Sequence, residues 1–295
     1  MSRFHIKAIK HIKSMPPLSR ATVGITRLIA DENYHIEGLI KLIETDVTLA
    51  GRCLQSINSP LYGLRTQVET IHRAVVLLGA RNIAAMALQT GLSTVFKINL
   101  DGYDSTHEDL WRNGLRTAIA SRRIVRDLFK EEYGDIAYAT GLMHDIGKVV
   151  TSEFLREMSK LFIEATYREH DGNFLAAEDA LFGTNHTVIG QQIAQNWNLP
   201  ESFATVMRYH HRPSEAPEEY RGLVVAVHLG DTFSMMAGTG TKLDNMDYPL
   251  DAITDTFIKR DPKWEVLTFP RLLLDIDKEF QEALRLSGEG GDSHV

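Results

Sequence analysis

Apolar residues along this chain recur at helical rather than strand spacing. Ile71, Ala74, Val75 and Leu78 fall at i, i+3, i+4 and i+7, with Gly79 placed to stop the helix. Ile36, Leu39, Ile40 and Ile43 repeat the pattern. Leu115, Ala118, Ile119, Val125 and Phe129 predict a long helix over about 108–130, and Leu155, Met158 and Phe162 predict another. Val188, Ile189, Ile193 and Trp197 mark a helix that Asn185 is placed to cap. Pro200 opens the next, which reaches His211 before Pro213 prevents continuation. The run Leu223 to Val227 is strand-like by propensity. It reads as helix because no partner strand is evident and His228 and Asp231 continue at i, i+3 spacing. The pattern therefore predicts an all-α protein.

A polar stretch over 99–106 divides the chain. The expected organisation is an N-terminal helical subdomain over 1–100, a second helical subdomain over 101–286 and a disordered tail over 287–295. Gly238-Thr239-Gly240-Thr241 reads as a surface loop. There is no internal repeat.

Composition narrows the function classes. The hydrophobic fraction of 43% supports a full core, and the formal net charge is -7, from 32 basic and 39 acidic residues. No run of Lys and Arg extends beyond pieces such as Arg122-Arg123, so neither nucleic acid nor a membrane is an expected partner. Cys53 is the single cysteine, so no intramolecular disulfide forms, and its apolar neighbours make it a core residue. No apolar segment follows the basic N-terminus, so no secretory signal is expected, and the longest apolar run is far short of a membrane span. A cytoplasmic location is the expectation.

The candidate chemistry lies in Gly141-Leu142-Met143-His144-Asp145-Ile146-Gly147-Lys148, where an imidazole and a carboxylate adjoin inside an apolar, helix-like stretch. Burying that pair costs free energy unless a partner satisfies it, and a divalent metal is one such partner. Adjacent helical residues point about 100° apart, so both reach one ion only if it lies on the flank between them. His186, His210, His211 and Asp231 follow at the start, end and middle of later helices. Such positions can converge in a helical bundle. Imidazole plus carboxylate without thiolate suits one or two divalent ions (Fe, Mn, Zn, Co, Ni or Mg). Two ions so held could activate a water for attack on phosphorus, with Lys148 as a point charge for phosphate. Each residue also has a plainer reading. His186 could be a hydrogen-bonded core residue, His210 and His211 a cationic helix terminus, and Asp231 a salt-bridge residue. His228 reads as structural.

These residues, with others upstream, resemble the HD superfamily and more closely its HDOD branch (HD-related output domain), over roughly 14–212. The upstream pieces are Met15-Pro16-Pro17-Leu18, Asp46-Val47-Thr48-Leu49, Leu54, Asn58-Ser59-Pro60-Leu61-Tyr62-Gly63, Ile71, Ala74-Val75 and Leu78-Gly79, then Trp111 with Ala118. The His-Asp block and Trp197-Asn198-Leu199-Pro200 with His210-His211 follow in order. The resemblance implies an HD-like helical bundle with an N-terminal helical subdomain and a role in bacterial signal transduction. It also implies that catalysis is often lost. HD phosphohydrolases place a histidine ligand near position 113, where this chain has Asn113. HD-GYP phosphodiesterases follow the double histidine with an acidic residue and Gly-Tyr-Pro, whereas here Arg212-Pro213-Ser214 follows, so cyclic di-GMP hydrolysis is not expected.

Three functions remain open from sequence. The first is a regulatory output module acting through signalling proteins, with or without a metal. The second is a metal-dependent phosphohydrolase acting on a nucleotide or phosphomonoester, with His144, Asp145, His186, His210, His211 and Asp231 as ligands and Lys148 facing phosphate. The third is a purely structural polar cluster.

Overall fold

The computed structural model describes residues 3–31, 33–93, 95–126, 134–170, 173–240, 250–258 and 268–287. Among them the fold is all-α, with no strand and one isolated β-bridge between Leu100 and Ser105. Helices α1 (Arg3–Ser14), α2 (Arg20–Ile29), α3 (Ile36–Glu44), α4 (Val47–Ile57) and α5 (Ile71–Gly91) come first. Side-chain caps set several starts: Ser19 accepts from the Thr22 amide, Asp46 from Leu49 and Thr70 from Arg73. Gly79 ends its helical segment as expected: its backbone is non-helical, and a second segment at about 101° to the first follows within α5. A φ of 76° and ψ of 155° is open to glycine and strained for any residue with a Cβ.

Helices α2, α3 and α4 pack on α5, while α1 leaves this group and lies on the second half of the chain. That half comprises α6 (His107–Ile124), α7 (Gly134–Met143), α8 (Lys148–Leu155), α9 (Ser159–Glu164), α10 (Phe174–Phe182), α11 (His186–Asn196), α12 (Glu201–Tyr209), α13 (Glu218–Met236), α14 (Ile253–Ile258) and α15 (Thr268–Ser287). The stretch 223–227 is helix, inside α13. The long helix expected to 130 runs as α6 to Ile124 and continues as π-helix over 125–126, and 127–133 lie outside the described residues. Ser287, expected to open the tail, instead closes α15, and the rest of the expected tail, 288–295, lies outside the described residues.

Helix α6 is the hub, with α7, α13 and α15 packed against it and a reciprocal Thr106–Asp109 capping box at its start. It is held to α15 by ion pairs of Arg116 with Asp277 at 2.8 Å and Arg123 with Glu279 at 3.0 Å, and by a close Arg122–Glu279 pair. Cys53 is fully buried and burial pushes its thiol up to about 12, as a core cysteine requires. Among the described residues no single helix is long and apolar enough to cross a membrane.

Candidate metal centre

His144 and Asp145 do not lie within a helix, as the sequence pattern suggested. They occupy a tight turn over 144–147 that joins α7 to α8, held by bonds from the Ile146 amide to the Met143 carbonyl and from Lys148 to Asp145. The turn directs both side chains inward, so no helix flank constrains them. The N-terminus of α11 then delivers His186, capped by Asn185, whose side chain accepts from the Thr187 and Val188 amides. The end of α12 delivers His210 and His211, and mid-α13 delivers Asp231. All six sequence-predicted ligands thus meet in one place.

The distances form two overlapping sets that share Asp145. In the first, donor atoms of Asp145, His186, His210 and His211 lie within 4.8 Å of one another. His186 Nε2 and His210 Nε2 are each 3.5 Å from Asp145 Oδ1, and His186 Nε2 is 3.0 Å from His211 Nε2. In the second, His144 Nε2 is 3.3 Å from Asp145 and 3.2 Å from Asp231. Two donors each about 2.1 Å from one ion are about 3.0–3.4 Å apart at octahedral or tetrahedral angles. Three of these spacings, at 3.0, 3.2 and 3.3 Å, fall in that range, and the two at 3.5 Å lie just beyond it.

Three atoms at this centre, His144 Nε2, Asp145 Oδ1 and His210 Nε2, are buried without a well-formed hydrogen bond. Buried polar atoms rarely stay so, and a cation would satisfy all three. The other ring nitrogens hold the tautomers that ligation needs. His144 Nδ1 donates to the Gly141 carbonyl at 2.7 Å, and His210 Nδ1 faces the Met207 carbonyl at 3.1 Å, so each ring presents Nε2 to the centre, where a metal would displace any proton it carries. The donor set therefore fits a divalent transition metal.

Supporting residues not foreseen from sequence complete the shell. Glu178 of α10 accepts from His186 twice, from the backbone amide at 2.7 Å and from Nδ1 at 2.8 Å. Its other oxygen takes the Tyr103 hydroxyl, which lies 2.6 Å from the Thr151 hydroxyl. One sequence signal for Glu178 existed: it is an acid on the apolar stripe Phe174, Glu178, Phe182. Asn113 is engaged at both ends of its side chain. Its amide donates to Asp231 at 3.1 Å, and its carbonyl accepts from Ser234 at 2.6 Å, so it clamps Asp231. His228 is structural, donating from Nδ1 to the His210 carbonyl at 2.7 Å and accepting from the Asp251 amide. Replacing Glu178 by glutamine is expected to weaken metal binding by about 10–100-fold while leaving the ligands in place, measured by chelator competition.

Lys148 lies beside the same centre, its ammonium 2.7 Å from Asp145. Burial opposes the Asp145 charge, but Lys148 and His144 hold the carboxyl well below the usual range. Burial likewise opposes charge on His144, yet Asp145 and Asp231 outweigh it and lift its pKa to about 10. Burial lowers His210 to about 4 and also depresses His211 and His228. The linkage has opposite signs. The stabilisation from His144 is complete below its unfolded pKa of about 6.5 and is lost as pH rises toward 10. The depressed histidines must stay neutral, so they remove stability as pH falls from about 6.5 toward 4. Chelator-treated protein is therefore expected to be most resistant to urea near neutral pH and weaker on both sides.

The HDOD domain family model matches residues 15–213. An HDOD domain protein of unknown function from Geobacter sulfurreducens shares the fold at a TM-score of 0.65, with 24% identity over 96% of this chain and 93% of its own. A protein provisionally assigned to signal transduction in Marinobacter aquaeolei VT8 aligns at 0.74, with 20% identity over 96% of this chain and 65% of its own. A provisionally assigned phosphohydrolase from Shewanella amazonensis SB2B aligns at 0.57, with 18% identity over 89% and 96%. Among curated sequences, an uncharacterized protein of Treponema pallidum (strain Nichols) is 27% identical over 220 residues, 73% of this chain. The chain spans 41% of that relative's length.

Proposed function

The chain belongs to the HDOD family, and from that premise we propose that it is a bacterial signal-transduction output module. It acts through protein partners in the cytoplasm and holds a divalent metal as a structural or sensory element. The observation that carries this reading is the burial of the centre. The side chains of His144 and His210 are 0% exposed, His186 1%, Asp145 3% and Asp231 6%. Catalytic metal sites keep a coordination position that solvent and substrate reach. Here only His211 is half-buried. Asn113 supports the same reading, because it spends both ends of its amide on fixing Asp231.

One observation favours a second reading, a phosphohydrolase acting on a nucleotide or phosphomonoester. Two donor sets share Asp145, as a two-metal centre requires. A metal there would supply an activated water, and Lys148 would be the residue placed to meet phosphate charge. The test uses the purified chain loaded anaerobically with Fe or Mn and a panel of nucleotides and p-nitrophenyl phosphate. The output-module reading expects stoichiometric metal by elemental analysis, no turnover, and a specific partner recovered from native lysate. Metal-dependent turnover that is lost in His144→Ala overturns it and establishes the second reading.

A further inference from the structure

Two signature residues, Tyr62 and Trp111, have no part in the metal centre. They meet instead in a cavity of about 100 Å³ where α4, α5, α6, α7 and α15 come together. Tyr138 brings a third aromatic ring to its wall, and Asn82 and Gln89 bring two carboxamides from one face of α5. Asn82 and Gln89 are seven residues apart on that helix and half-buried, so they stand two turns from each other on the same stripe.

The lining chemistry is selective. Among the described lining residues there is no acid, lysine or arginine. Aromatic faces favour a flat π-system. Carboxamides present donor and acceptor together, the pattern that pairs with a base edge. The Asn82 amide nitrogen already donates to the Leu78 carbonyl at 2.8 Å, which leaves its oxygen as an acceptor. Gln89 makes no hydrogen bond among the described residues, so both ends of its amide are available. Pockets that swallow whole drug-sized ligands run about 300–1,000 Å³. A cavity of about 100 Å³ takes one ring system and leaves its substituents outside.

We propose that the cavity lined by Tyr62, Trp111, Tyr138, Asn82 and Gln89 binds a nucleobase ring, with any sugar or phosphate left toward solvent. Its position adds a consequence. The walls come from the N-terminal helices α4 and α5, from the bundle helices α6 and α7, and from Ala283 of α15. An occupant touches all three groups at once and so ties their relative placement to ligand concentration. This site is independent of the metal centre and does not require catalysis.

The test is isothermal titration of the full chain, with chelator present so that the metal plays no part. The probes are adenine, guanine, cytosine and uracil, each as free base, nucleoside and 5′-monophosphate. The expected result is saturable one-to-one binding of at least one base, similar in its three forms because the substituents stay outside. Gln89→Leu and Asn82→Ala together should weaken it at least tenfold with helical circular dichroism unchanged. Trp111→Leu should abolish it, although this variant removes core volume, so the double amide variant decides. Absence of saturable heat for every probe, or unchanged affinity in the double amide variant, overturns the proposal. Binding of the 5′-monophosphates alone also overturns it, since that would place the recognition on phosphate.

Discussion

Asp145→Asn is expected to strip the metal from the protein and to destabilise the metal-free form. Asp145 is the one ligand common to both donor sets, so neither survives its loss intact. Changes in supporting residues alone cost about 10–100-fold in metal affinity. Exchange of the shared carboxylate for a neutral amide should exceed about 100-fold, and elemental analysis after dialysis should find the variant nearly metal-free. The stability effect has a different origin. Lys148 is buried with its ammonium 2.7 Å from Asp145, and removing one member of a buried ion pair costs about 3–5 kcal/mol. Urea unfolding of chelator-treated protein should show that loss. In Asp145→Asn/Lys148→Met the buried charge goes with its partner, so most of the stability should return while the metal does not. A variant Asp145→Asn that keeps stoichiometric metal would show that the donor sets are not the binding site.

The helices were legible because burial stamps a 3.6-residue period on the sequence, and the caps at Asn185 and Pro200 are local chemistry. The six donor residues were legible as types, since imidazole and carboxylate are rarely spent inside apolar stretches without a purpose. What sequence could not show was the turn at 144–147. Its i to i+3 bonds nearly continue the helical path, so the apolar pattern runs through it without a break. The division into two overlapping donor sets was hidden for another reason. It depends on how α11, α12 and α13 approach the turn, which is a property of packing across distant segments. Asn113 shows the same limit. The resemblance marks its position only as one that lacks a histidine, and the contacts with Asp231 and Ser234 reveal a clamp. Glu178 was readable in principle as an acid on an apolar stripe, but nothing local connects it to Tyr103, which lies 75 residues away in the chain.

Among the described glycines, Gly147→Ala is expected to be the most damaging substitution. A Cβ at 147 would lie 1.9 Å from the His186 carbonyl oxygen and 2.8 Å from the Gly190 amide nitrogen. Both are backbone atoms of α11, so no side chain can swing aside to make room. The helix itself must retreat by more than an ångström, and it carries His186 and the amide that Glu178 holds. Overpacking typically costs about 1–3 kcal/mol, and a clash with rigid backbone belongs at or beyond the upper end. Metal affinity should fall with it, because the His186 imidazole leaves its place beside Asp145. Gly51→Ala separates this steric effect from helix propensity. Position 51 lies in α4, and a methyl added there would meet nothing within 4 Å, so alanine should stabilise by about 0.5–1 kcal/mol. Urea midpoints and chelator competition on the two variants should therefore move in opposite directions for stability and diverge for metal, with Gly51→Ala binding as the unaltered chain does. If Gly147→Ala were as stable as the unaltered chain, α11 would not be seated against the turn, and the geometry that brings His186 to the centre would be wrong.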